Sequence, residues 1–155
     1  MINFIIIAVL VLADQGLKYL ATLYLANSAP ITVIPHFLGL NYVLNAGAGF
    51  SILSGKVNLL IVVTSVALAA IAYFIFTKRF TDKWEEFSFV LILAGGLGNL
   101  IDRVVNGVVV DYLEFLFIDF PIFNFADILI CCGVALFAFN VLRTEFSKKG
   151  NNKNV

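Results

Sequence analysis

Long apolar stretches dominate the chain, and short polar breaks separate them. No charged residue stands at positions 1–13 or 57–77, and two further apolar stretches follow. A membrane-spanning helix needs about 20 mostly apolar residues. The pattern therefore predicts an all-α polytopic membrane protein that forms a single membrane-embedded domain over residues 1–155. Its four transmembrane helices are expected at about 3–25, 57–77, 84–102 and 120–142, followed by a flexible polar tail at 144–155.

The segment after the first helix has a different pattern. Asn27-Ser-Ala-Pro30 ends the helix, and residues 31–44 are rich in β-branched and aromatic side chains. Pro35 and Gly39 interrupt this segment too often for a spanning helix, whereas short strands accept both at edges and bulges. We expect a small β-sheet region in this first loop, with strand-like structure over 31–50.

The distribution of Lys and Arg predicts how the helices are oriented. Seven of the ten basic residues lie in the loop between the second and third helices and in the tail after the fourth. Connections rich in Lys and Arg remain in the cytoplasm. Both termini are therefore predicted to be cytoplasmic. Residues 26–56, with the small β-sheet, and residues 102–121 are predicted to be the outward-facing, extracytoplasmic loops.

Composition excludes several other classes of protein. The chain is 61% hydrophobic and 13% charged, whereas a soluble domain carries about 25% charged residues. A formal net charge of +0 argues against a strongly basic nucleic-acid binder. Cys131 and Cys132 are adjacent and point in different directions on a helix, so they predict neither a disulfide nor a paired metal site. A single histidine, His36, excludes a His-rich zinc site.

Several polar residues stand where a membrane helix makes them costly, so each needs a partner or a function. Asp14 and Lys18 are four residues apart and can pair on one helical face, either within a site or as a structural ion pair. Asn99, Asp102 and Arg103 close the third helix. Arg103 can extend toward the membrane surface and hold a carboxylate, or the group can be an interfacial anchor and a helix cap.

Asp111 and Asp127 are the strongest candidates for chemistry. Both are expected near the outer membrane surface on different elements, so their carboxylates can meet. Two close carboxylates share a proton, and one then acts as base and the other as acid. Such a pair can activate water against an amide. A proton or ion pathway uses the same residue types.

Five motifs occur in order along the chain, and together they resemble the lipoprotein signal peptidase (signal peptidase II) family over nearly its whole length. They are Asp14-Gln-x-x-Lys18, Asn45-Ala-Gly-Ala-Gly-Phe50, Gly98-Asn-x-x-Asp-Arg103, Val109-Val-Asp111 and Phe123-Asn-x-Ala-Asp127. The resemblance implies a membrane-embedded aspartic peptidase of the bacterial cytoplasmic membrane. It would remove signal peptides from prolipoproteins, just before a diacylglyceryl-modified cysteine at the outer face.

The resemblance also implies partners and site residues. The expected partners are prolipoproteins, membrane lipids and globomycin-type inhibitors, with no nucleic acid and no metal or organic cofactor. Asp111 and Asp127 would be catalytic. The supporting or substrate-binding residues would be Asp14, Lys18, Asn45, Gly95, Asn99, Asp102, Arg103 and Asn124.

Three positions depart from the family's usual residues, namely Gly49, Tyr112 and Ile128. None of them removes a catalytic group, so we expect changes in inhibitor affinity rather than in the reaction.

Two functions of other classes use the same residues. A proton-linked transporter or assembly factor would use the aspartates as relay or packing charges, and a structural subunit would use them only for packing. Transporters commonly show repeated halves, and the sequence has no internal repeat. Proton flux in liposomes without peptide cleavage would favour the transporter.

Overall fold

The computed structural model describes residues 2–47, 55–80 and 82–151, with side chains up to residue 146. Within these residues it contains four helices long and apolar enough to cross a membrane, and a three-stranded antiparallel sheet. The helices are α1 (Ile2–Leu25), α2 (Val57–Phe76), α3 (Lys83–Asn106) and α4 (Phe125–Asn151), and the strands are β1 (Ile31–Ile34), β2 (Leu38–Asn45) and β3 (Val109–Phe115). The predicted fold class, four spanning helices with a small sheet, is confirmed.

The observed bounds of α4 differ from the prediction of 120–142. The helix begins five residues later, because Asn124 caps it: the Asn124 Oδ1 accepts the backbone N–H of Asp127 at 3.0 Å, and the Asp127 carboxylate accepts the N–H of Asn124 at 3.1 Å. It ends at Asn151, within the predicted tail. Arg143 pairs with Asp82 at 2.9 Å and so ties this end to the start of α3. Residues 152–155 of the predicted tail lie outside the described residues.

The sheet includes a strand that the sequence analysis did not predict. Strands lie in the order β1-β2-β3, and β3 comes from the connection between α3 and α4 rather than from the one between α1 and α2. Gly107 ends α3 with a left-handed conformation, φ 74°, and the β-branched run Val108–Val110 then enters the sheet. The register of β2 and β3 places Val43 opposite Asp111. Residues 48–50 of the predicted strand-like segment lie outside the described residues.

Helix α3 is the centre of the bundle. It packs against α1, α2 and α4, and half of its span is buried, compared with 17–22% for the other three helices. The contact with α4 is very close, because a Cβ on Gly95 would overlap the carbonyl oxygen of Ala126. Gly133 makes the reciprocal approach, where a Cβ would lie 2.7 Å from the Ser88 carbonyl oxygen.

Gly95→Ala should therefore destabilise the bundle. The obstacle is backbone rather than a flexible side chain, so the two helices must separate, at a cost of about 1–3 kcal/mol. Gly16→Ala is the matched control, because nothing lies within 4 Å of the added Cβ and alanine favours the helix. Thermal unfolding in detergent should show a lower Tm for Gly95→Ala and an unchanged or higher Tm for Gly16→Ala. Equal Tm values would contradict the close packing.

Candidate active site

A cavity of about 720 Å³ lies between the sheet and the adjoining ends of α3 and α4. Asp111 and Asp127 both line it, together with the polar side chains of Asn45, Asn99 and Arg103. Much of the remaining wall is apolar, formed by residues that include Val43, Leu44, Val109, Phe115, Phe120 and Ile128. The structure thus brings the two aspartates into one largely apolar cavity.

Asp111 lies on β3 and is 2% exposed. Its Oδ2 accepts a hydrogen bond from Asn45 Nδ2 at 2.9 Å, and its Oδ1 accepts one from Asn124 Nδ2 at 2.6 Å. The pKa of Asp111 is raised to about 6, chiefly because the carboxyl is buried and also because Asp127 lies near, while the two amide hydrogen bonds oppose the rise. Asp111 can therefore carry a proton at a pH where ordinary aspartates are ionised.

Asp127 lies in the first turn of α4 and is half-buried. Its Oδ1 accepts a hydrogen bond from Asn99 Nδ2 at 2.8 Å, and its Oδ2 accepts the backbone N–H of Asn124 at 3.1 Å. The first turn of a helix favours a carboxylate because unpaired N–H groups point toward it. Asn124 contacts both aspartates, so it joins β3 to α4 at the cavity.

Three asparagine amides are held with their NH₂ groups toward the two carboxylates. The Asn45 Oδ1 accepts the N–H of Gly47 at 2.8 Å, and the Asn124 Oδ1 accepts the N–H of Asp127 at 3.0 Å. The Asn99 Oδ1 accepts from Lys18 Nζ at 2.9 Å and from Asn124 Nδ2 at 3.1 Å. Each amide oxygen is therefore occupied, and each nitrogen faces a carboxylate.

A buried ionic cluster lies behind the asparagines. Lys18 Nζ is 2.9 Å from an oxygen of Asp14 and 2.9 Å from an oxygen of Asp102, and all three side chains are nearly inaccessible to solvent. Asp14 also accepts the N–H of Ala126 at 3.0 Å, and Asp102 accepts that of Val110 at 3.3 Å. The ion pair expected from the spacing is present, extends to a third residue and is bonded to the backbones of α4 and β3.

The cluster includes a residue that the sequence analysis did not place in the site. Gln15 Nε2 lies 3.2 Å from Asp14 Oδ2 and 3.0 Å from Asp102 Oδ1. The sequence did indicate Gln15, because a polar amide inside an apolar helix needs a partner. Gly98 makes room for the cluster, since a Cβ there would meet the carboxylate of Asp14.

Arg103 differs from the expectation that it holds a carboxylate. Its two terminal nitrogens donate to backbone carbonyls, NH1 to Asn99 at 3.3 Å and NH2 to Gly47 at 2.8 Å. The guanidinium thus connects α3 to the segment that follows β2 and fixes one rim of the cavity. Gly95 has no polar side chain to contribute to the site, and its contact with the backbone of Ala126 places it in the packing of α3 against α4.

The remaining residues noted in the sequence fall around the cavity. Ile128, Cys131 and Cys132 line its wall, and both cysteines are free. Tyr112 is buried on β3, and the pKa of its hydroxyl is raised to about 12, chiefly by burial. Gly49 lies outside the described residues. Among the described residues, no group of three or more His, Cys, Asp and Glu side chains is arranged to hold a metal ion.

Comparisons with known proteins give one consistent result. The family model described as Signal peptidase (SPase) II matches residues 6–143. A lipoprotein signal peptidase of Latilactobacillus sakei is 40% identical over 146 residues, which cover 94% of this chain and 97% of that protein. A lipoprotein signal peptidase of Enterococcus faecalis is 37% identical over 152 residues, covering 97% and 94%.

Two solved structures described as bacterial membrane enzymes have the same fold. One, determined at 2.3 Å, has a TM-score of 0.87 and 35% identity and covers 94% of this chain and 90% of its own. The other, determined at 1.9 Å, has a TM-score of 0.81 and 36% identity and covers 90% of this chain and 92% of its own.

Proposed function

The chain belongs to the signal peptidase II family, and we propose that Asp111 and Asp127 are its catalytic dyad. It is a multi-pass membrane protein and an aspartic endopeptidase. It removes signal peptides from prolipoproteins, and we propose that it cleaves just before the diacylglyceryl-modified cysteine. The observation that carries the dyad assignment is that the two carboxylates come from different elements, line one cavity and both bind Asn124.

The dyad works by sharing one proton. The ionised carboxylate takes a proton from water as the water oxygen attacks the scissile carbonyl carbon, and the protonated carboxyl donates to the carbonyl oxygen. As the resulting diol collapses, one of its hydroxyls returns a proton to the carboxylate that is now ionised, the C–N bond breaks and the amine leaves with a proton from the other carboxyl group. The two aspartates titrate as a unit, and the raised pKa of Asp111 keeps that proton available at higher pH.

The supporting residues have separate roles in this proposal. Asn45, Asn99 and Asn124 orient the carboxylates. Arg103 holds the segment that follows β2. The ionic cluster of Asp14, Lys18 and Asp102 joins α1 to the elements that carry the dyad, and Gly95 lets α4 approach α3.

The apolar wall suits a lipid-modified substrate. Burial of acyl chains contributes about 0.8 kcal/mol per CH₂, so contact of the diacylglyceryl group with this wall and with membrane lipids would supply much of the substrate affinity. Globomycin-type cyclic peptides would occupy the same cavity, with Ile128 as part of their contact surface.

The proposed topology places both termini in the cytoplasm and the cavity at the outer face of the bacterial cytoplasmic membrane. The basic loop and tail support it, and the cavity lies at the end of α3 and the start of α4, beside the sheet. We also propose that residues 1–155 act as one peptidase domain.

The test of the dyad is the cleavage of a diacylglyceryl-modified prolipoprotein by purified Asp111→Asn and Asp127→Asn variants. Cleavage by either folded variant at close to the wild-type rate would overturn the assignment.

Asn45→Ala should shift the pH dependence of cleavage. The hydrogen bond from Asn45 lowers the pKa of Asp111, so its loss should raise that pKa further. The limb of the profile of kcat/KM against pH that Asp111 controls should move to higher pH. Asn41→Ala is the control, because Asn41 lies on the same strand and binds Glu114 instead. An unshifted limb in Asn45→Ala would show that this hydrogen bond does not tune the dyad.

A further inference from the structure

Lys18 is buried behind Asn99, whose side chain contacts both Lys18 and Asp127. It is 3% exposed, and its Nζ has three partners at 2.9 Å: oxygens of Asp14, Asp102 and Asn99. An ammonium group has three N–H donors, so all of them are used. Two partners are carboxylates that form ion pairs with it, whereas the third, the amide of Asn99, contacts Asp127.

The amide of Asn99 has two possible orientations, and they have opposite effects on Asp127. In the observed one, the oxygen accepts from Lys18 and Asn124 and the nitrogen donates to Asp127. In the reversed one, the nitrogen would face the ammonium of Lys18 and the NH₂ of Asn124, and the oxygen would face the Asp127 carboxylate. Lys18, Asn124 and Asp127 all disfavour this reversed state, because donors would oppose donors and an acceptor would oppose a carboxylate, and Lys18 is the one charged donor among them.

Without Lys18 the preference would weaken. Asp14 and Asp102 contact the same Lys18 nitrogen as Asn99 does, so their carboxylates would compete with Asp127 for the Asn99 NH₂ group. Asn124 and Asp127 would still favour the observed orientation, through hydrogen bonds of 3.1 and 2.8 Å, but the hydrogen bond from the charged donor would be lost. A hydrogen bond from a charged donor contributes roughly twice as much as an uncharged one.

We propose that Lys18 is a positioning residue for peptide cleavage, which acts by fixing the Asn99 amide so that its NH₂ group faces Asp127. This inference rests on the proposed dyad. It gives Lys18 a role beyond its ion pairs with Asp14 and Asp102, and its effect on Asp127 passes through Asn99.

A double-mutant cycle tests this role. Lys18→Met, Asn99→Ala and the combined variant are purified in detergent, and kcat and KM are measured on a diacylglyceryl-modified prolipoprotein. Loss of a charged hydrogen bond that orients the dyad should lower kcat by about 10- to 100-fold in Lys18→Met, with KM within about threefold. The combined variant should be no slower than the slower of the two single variants, because Lys18 acts through Asn99.

Lys18→Met leaves two buried carboxylates without their cation, which destabilises the fold. A second variant with fewer uncompensated charges therefore keeps the test valid if Lys18→Met does not fold. Asp14→Asn/Lys18→Met removes one negative charge together with the positive charge, and it should show the same loss of kcat and the same coupling to Asn99. Lys83→Met is the surface control, because Lys83 is exposed at the opposite end of α3, and it should retain full activity.

Two results would overturn the inference. One is an unchanged kcat in folded Lys18→Met or in folded Asp14→Asn/Lys18→Met. The other is a combined loss equal to the product of the single losses, which would make Lys18 independent of Asn99. Asp127→Asn, assayed in parallel, separates the two proposals. If Asp127→Asn is active, the dyad assignment is wrong. If it is inactive and the losses of kcat in Lys18→Met and Asn99→Ala are independent, only the proposed role of Lys18 is wrong.

Discussion

Replacing either Asp111 or Asp127 with asparagine should lower the rate of prolipoprotein cleavage by about 10³- to 10⁴-fold, near the upper range for loss of general acid–base catalysis. An amide has nearly the same shape as a carboxyl group, but it cannot take a proton from water or deliver one to the substrate. In each variant an NH₂ group also replaces one accepting oxygen, so one hydrogen bond is lost at each position.

The matched control is Asp119→Asn, the same substitution at an exposed aspartate in the connection between β3 and α4. It should cleave at the wild-type rate. Cleavage is measured as the conversion of prolipoprotein to its shorter product, and thermal unfolding checks that each variant is folded. A folded Asp111→Asn or Asp127→Asn that retains a tenth of the wild-type rate would rule out a dyad in which both groups transfer protons.

Asn124→Ser should be the most damaging change outside the dyad, lowering kcat about 100-fold. The Asn124 side chain is fully buried and combines two tasks. Its oxygen caps α4 by accepting the N–H of Asp127, and its nitrogen donates to Asp111 and Asn99. A serine hydroxyl can retain the cap but is too short to replace the NH₂ group. The fold should therefore survive while the dyad loses its shared donor.

Asn140→Ser is the control for the loss of a buried asparagine. Asn140 lies on the same helix at the end far from the cavity, where it accepts from Arg143 at 2.9 Å. Its replacement should lower the Tm and leave kcat unchanged. A similar loss of kcat in both variants would mean that Asn124 acts only through the stability of α4.

Hydrophobic patterning was enough to locate all four helices, because a span needs about 20 mostly apolar residues whatever its neighbours are. It could not locate the start of α4. The apolar run from Phe120 continues through the true boundary, and the polar cap at Asn124 is only one residue within it. Strand β3 was missed for a related reason, since its pairing with β2 joins residues as far apart as Leu38 and Phe115.

The acidic residues of the site were also predictable, because charges within a membrane protein are rare and costly. Their connections were not. Spacing indicated that Asp14 and Lys18 can pair, but it could not show that Lys18 also binds Asp102 and Asn99, which lie more than 80 residues away. Gly95 was placed with the site residues by resemblance, although a glycine-rich helix also indicates close helix packing. The proximity of Ala126 confirms the packing role and identifies α4 as the partner.

The residues around the proposed dyad come from five elements that follow one another along the chain. Lys18 is on α1, Asn45 on β2, Asn99 on α3, Asp111 on β3 and Asp127 on α4. A chain still being synthesised therefore has no complete pair of carboxylates until its last helix is in place. If the two aspartates are the catalytic pair, a copy without α4 carries only one of them, and peptide cleavage begins only with the finished bundle.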